Sequence, residues 1–159
     1  MNFVAHSFRH AEVILNEPIF IDQYEEVKSI ISNISDEDLI SKHESYGRYD
    51  ALKTPKSISK AINDLFKERF RNAEWKSESS IFRDVRYAGD NWRLDFAKND
   101  ISIEVAFNHA TVIAWNLTKP VLASELNHVE KAIQTQIGII ITATEAMKSK
   151  GGFDGAIGT

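Results

Sequence analysis

The stretch Ile101-Ser102-Ile103-Glu104-Val105-Ala106-Phe107 constrains the fold more than any other. Its residues alternate strictly, with Ile101, Ile103, Val105 and Phe107 on one side and Ser102, Glu104 and Ala106 on the other. That period of two specifies a β-strand. The run Gly138-Ile139-Ile140-Ile141-Thr142 predicts a second strand, short and buried on both faces. Residues 83–88 and 92–96 also read as strands. Three stretches recur at helical spacing. Over 19–33 the stripe is Tyr24, Val27, Ile30 and Ile34, with Ile31 beside it. Over 55–72 it is Ile58, Ile62, Leu65 and Phe70, with Thr54 placed to cap and Pro55 suited to a first helical position. Over 119–133 it is Leu122, Leu126, Val129 and Ile133. Such stripes face a core. Strands alternating with helices predict an α/β protein, a mixed central β-sheet flanked by helices.

With 159 residues, no repeat and no Pro/Gly-rich linker, the chain reads as one domain over 1–159, large enough to bury a core. The absence of cysteine excludes disulfides and thiolate metal sites. No apolar run approaches the roughly 18 residues of a membrane span, and the start carries no basic segment followed by a long apolar one. A soluble cytoplasmic protein is expected. The formal charge of −4 argues against a uniformly basic surface. It is unevenly spread: residues 1–50 hold four basic against ten acidic residues, and the remainder 15 against 13. The later part of the chain is therefore the part able to face a polyanion.

Chemistry concentrates around two acids. Asp95 ends one candidate strand, the turn Lys98-Asn99-Asp100 follows, and the alternating strand then carries Glu104. Two adjacent antiparallel strands would bring these carboxylates together. Glu104 points away from the apolar face, so something polar must receive it. A pair of carboxylates makes a hard-oxygen site for a divalent ion, with magnesium the best match. Such an ion generates hydroxide and clamps a phosphate. The plain alternative is a hairpin whose outer face is wet.

Arg93 through Phe107 resembles the Asp-x8-Glu-x-Gln core of the BglII and BstYI type II restriction endonucleases, a branch of the PD-(D/E)xK nuclease superfamily. Further segments resemble that family in order: His10 to Asn16 before the first helix, Lys53-Thr54-Pro55 before the second, Val112 to Leu117, and Gly138 to Thr142. The resemblance implies a restriction-endonuclease-like core and a magnesium-dependent homodimer on double-stranded DNA. It also implies a short palindromic site centred on GATC, with Asp95 and Glu104 as the catalytic, metal-binding residues. Family members run on past the equivalent of Gly151–Thr159, so the chain is expected to be C-terminally incomplete.

The third motif position departs from the family. It is lysine across the superfamily and glutamine in closer relatives, and here it is Ala106. Three explanations stand. Lys98, His109 or Lys119 takes the role; a metal-activated water suffices; or the protein is a catalytically silent DNA-binding or interaction module that keeps the nuclease fold. Activity is the favoured reading. Asn108, His109, Asn116 and Lys119 follow the catalytic strand and carry groups able to bond base edges or phosphates. Asn116 to Pro120 also reads as an ordinary helix start. Arg83, Arg86 and Arg93 are candidate phosphate contacts or plain surface residues.

Overall fold

The computed structural model describes residues 1–49, 55–87, 89–107, 110–125 and 129–151. The chain falls into two compact units, Met1–Arg69 and Phe70–Thr159.

The first unit is helical. It holds α1 (Ala11–Leu15), α2 (Ile21–Ser32), α3 (Asp36–Tyr49) and most of α4 (Ser59–Asn72). Of the stripe over 19–33, Tyr24, Val27, Ile31 and Ile34 are buried, as are Leu39, Ala61, Ile62, Leu65 and Phe66, while Ile30 is only partly buried. Helix α3, which no apolar stripe announces, starts at a reciprocal cap. The Asp38 N–H donates to Ser35 Oγ at 3.1 Å, and the Ser35 N–H donates to Asp38 Oδ2 at 3.1 Å. Helix α4 begins at Ser59 rather than 55. Pro55 lies ahead of it, and Thr54 lies outside the described residues.

The second unit is the mixed sheet with its helices. Its strands are β1 (Lys76–Ser80), β2 (Arg93–Lys98), β3 (Ile101–Ala106) and β4 (Ile137–Thr142), in the spatial order β1-β2-β3-β4. β1–β2 and β2–β3 are antiparallel, and β3–β4 is parallel. The β2–β3 hairpin closes at Lys98↔Ile101 around Asn99-Asp100. Asn99 sits at φ 51°, the left-handed region that asparagine tolerates. Helix α5 (Ile113–Ser124) returns the chain toward β4, and α6 (Glu145–Gly151) follows it. On the sheet, Phe70 stacks on Phe96 at 4.6 Å and meets Trp75 edge-on. Ile81, Phe82, Leu94, Ala97 and Ala123 form a further buried cluster, with Leu122, Val129 and Ile133 packed against it.

Several expectations are corrected here. Residues 83–87 do not form a strand: Val85–Tyr87 is a 3-10 turn, with Arg86 folded back onto Asp84, and Ala88 lies outside the described residues. The third helix runs over 113–124, not 119–133, and Pro120 sits inside it rather than at its start. Val129 and Ile133 therefore pack from non-helical chain, and Leu126 lies outside the described residues. β4 is not fully buried. Ile137 is, but residues 139–141 are half-exposed, because β4 is the outer strand of the sheet.

Candidate active site

β3 is interior to the sheet, and all six of its residues are buried. The face carrying Ser102, Glu104 and Ala106 is therefore not wet; helix α5 packs against this strand. The approach is close. A Cβ at Gly138, the register partner of Ser102, would lie 2.4 Å from Pro120 Cβ on α5. Only glycine admits the helix at that distance. Ser102 Oγ donates to the Ile137 carbonyl and accepts from Thr135 Oγ1, so the small polar groups under the helix are bonded.

Asp95 and Glu104 meet where the β2–β3 ladder stops. The last ladder pair on their side is Phe96↔Ile103. One step further, carboxylates take the place of backbone acceptors. The Val105 N–H donates to Asp95 Oδ2 at 2.8 Å, and the Asp95 N–H donates to Glu104 Oε1 at 3.3 Å. The β1–β2 ladder also has a gap at this level, between Ser77↔Phe96 and Ser79↔Leu94. Glu78 falls in that gap at φ 54°. Non-glycine residues rarely adopt that conformation away from functional or turn sites.

Glu104 is fully buried, and its Oε2 meets the Nζ of Lys119, a residue exposed to only 7%. Burial pushes the Glu104 carboxyl up to about 8, and the charge of Asp95 adds to the rise against the pull of Lys119. Burial and the neighbouring acid together disfavour its charged form. Two hard oxygen donors in that condition fit a divalent cation such as magnesium, which often takes only one or two protein carboxylates and completes its shell with water and phosphate oxygens. Among the described residues no group of three or more His, Cys, Asp or Glu side chains converges to hold a metal, so Asp95 and Glu104 would be its carboxylate ligands.

The structure brings together Asp95, Glu104 and Lys119. Ala106 is buried on the same strand and offers no polar atom. Asn116, one turn before Lys119, is also buried. Lys98 lies at the hairpin end of β2 and donates to the Ala73 carbonyl at 2.8 Å. Asn108 and His109 lie outside the described residues. Sequence reasoning missed the tie between Trp115 and the start of β2, where Nε1 donates to the Asn91 carbonyl at 2.9 Å and the ring meets Trp92 edge-on. Two tryptophans 23 residues apart carry no spacing signal that would have shown it.

The fold is that of a restriction endonuclease. The chain matches the structure described as "Crystal structure of restriction endonuclease BGLII complexed with DNA 16-mer" with a TM-score of 0.57 and 19% identity, over 92% of this chain and 70% of that one. No curated protein sequence matches the chain. The family profile described as Restriction endonuclease BglII/BglIII matches residues 3–159, and the chain belongs to that family. Membership places it among the type II restriction endonucleases, site-specific nucleases that generally use a divalent metal ion. No helix among the described residues is long and apolar enough to cross a membrane.

Proposed function

We propose that this chain hydrolyses phosphodiester bonds of double-stranded DNA at a short palindromic site centred on GATC, acting as a magnesium-dependent homodimer in the cytoplasm. The observation that carries the reading is the Asp95–Glu104 pair, set at the break in the sheet with Glu104 buried. Both compact units are taken to form one nuclease domain over 1–159. Two-fold protein symmetry suits a palindromic site, and the structural relative is itself a DNA complex.

Asp95 and Glu104 would hold the magnesium ion. When bound, the ion supplies an activated water and neutralises charge on the phosphate. Hydrolysis adds the oxygen of one water to phosphorus, breaks one phosphorus–oxygen ester bond and delivers a proton to the departing oxygen. The chain's own part is preorganisation. The Val105 N–H fixes one oxygen of Asp95 and the Asp95 N–H fixes one oxygen of Glu104, so the strand backbones orient both acids. Asn108 and His109, just beyond β3, are the proposed base-edge or phosphate contacts. Asn116 and Lys119 are buried, and a DNA contact from either would need α5 to shift in the complex.

Plasmid digestion tests this. Discrete fragments should form in magnesium, fail to form in EDTA, and be lost by at least about 100-fold in Asp95→Asn, the scale on which removing a group that organises the transition state acts. Full cleavage by Asp95→Asn would refute the site. A folded wild-type protein that cleaves nothing in magnesium or manganese would favour the second reading, a silent DNA-binding module, for which buried Ala106 is the specific observation.

A further inference from the structure

The third position of the cleavage motif is empty of chemistry in this chain, yet the space beside Glu104 is not empty of charge. Lys119 reaches across from α5, more than nine-tenths buried, and sets its ammonium against Glu104 Oε2. A lysine is costly to bury, and proteins keep one buried only where it is paired. Nothing about packing α5 on β3 requires a cation there. Gly138 and Pro120 already bring helix and sheet together, and a leucine or methionine would fill the same volume. Ala106 is buried on the same face of β3 as Glu104, so a long side chain at 106 would also point toward α5.

We propose that Lys119 supplies, from helix α5, the positively charged third member of the cleavage site that Ala106 lacks on the strand. It is a positioning residue, holding the Glu104 carboxylate in place and setting a positive charge beside the pair of acids. The inference rests on the nuclease reading above and makes no covalent step of its own.

The test uses the full chain, in wild-type form and as Lys119→Met, Lys119→Arg and the double variant Ala106→Lys/Lys119→Met. Three quantities are read: circular dichroism melts, affinity for the cleaved DNA in calcium, and single-turnover cleavage in magnesium. Lys119→Met should bind that DNA within about threefold of wild type and cleave it at least about 100-fold more slowly. The double variant, which returns the cation from the strand, should recover at least tenfold over Lys119→Met. If Lys119→Met does not fold, the double variant alone decides. Cleavage within tenfold of wild type then supports the proposal, and a folded double variant without cleavage overturns it. Cleavage by Lys119→Met within threefold of wild type overturns it, as does a loss of DNA binding that matches the loss of cleavage. These failures leave Asp95→Asn dead and the wild type active. A wild type that cleaves nothing refutes the nuclease reading itself, and this proposal with it.

Discussion

Replacing Glu104 by glutamine in metal-free protein should change the way stability depends on pH. The folded carboxyl is pushed up to about 8 from an ordinary 4.5. Between those values the folded state keeps a proton that the unfolded state has released. Stability therefore falls as pH rises through this interval and levels off above about 8. The limiting slope is about 1.4 kcal/mol per pH unit, so the whole interval is worth at most about 5 kcal/mol. That is a large share of the 5–15 kcal/mol typical of a folded domain. Water entering the site, or a shift of Lys119, would reduce it. Glutamine keeps the size of the side chain and an oxygen to accept from the Asp95 N–H, but cannot ionise. Denaturant unfolding in EDTA, at unit steps from pH 5 to pH 9 and constant salt, gives the difference between the two proteins. Wild type should lose stability relative to Glu104→Gln steadily up to pH 8, by several kcal/mol in total, and no further beyond it. Two curves parallel within about 1 kcal/mol over the range would refute the account of why this carboxyl is raised.

Two further substitutions probe the frame around the site. Gly138→Ala places a Cβ 2.4 Å from that of Pro120. Backbone must move to relieve that contact, so a loss of about 1–3 kcal/mol is expected, read as a lower thermal midpoint; an unchanged midpoint would show that α5 is not held close. Asn99→Val puts a β-branched residue at φ 51° in the hairpin turn and should cost about 1–3 kcal/mol, while Asn99→Gly should be neutral or better in the same melt.

What the sequence made readable follows from which signals are local. The alternation over 101–107 marked β3, and Asp95 and Glu104 stood out because a tight hairpin brings two acids nine positions apart together. The same alternation left the environment open between a wet face and a polar receiver for Glu104, and Lys119 is that receiver. A Ser-Glu-Ala face looks wet in one dimension, and only the helix laid over it makes Glu104 a buried acid. That helix was misplaced because Pro120 reads as a first-turn proline, whereas here it is an interior residue whose missing N–H leaves the Asn116 carbonyl without its usual partner. Shifting the helix hid the face on which Asn116 and Lys119 lie together. β1, Lys-Ser-Glu-Ser-Ser, carries no apolar alternation at all. It is an edge strand held by its ladder to β2, and polar residues are what an exposed edge tolerates. Helix α3 was legible in principle, since Ser35 three residues before Asp38 is a capping signal.

The break in the β2–β3 ladder has a practical corollary for anyone dissecting this protein. Asp95 and Glu104 each accept a backbone N–H at the seam between two strands. Truncating either to alanine removes a proposed metal ligand and an acceptor in one stroke, and an unfilled buried donor costs about 1–3 kcal/mol by itself. An alanine scan would then report inactivity from a loosened sheet and attribute it to lost chemistry. The amides asparagine and glutamine separate the two duties, because they can still accept the N–H while giving up the negative charge. By the same reasoning, a descendant that had abandoned cleavage altogether would still have a use for oxygen-bearing side chains at these two positions.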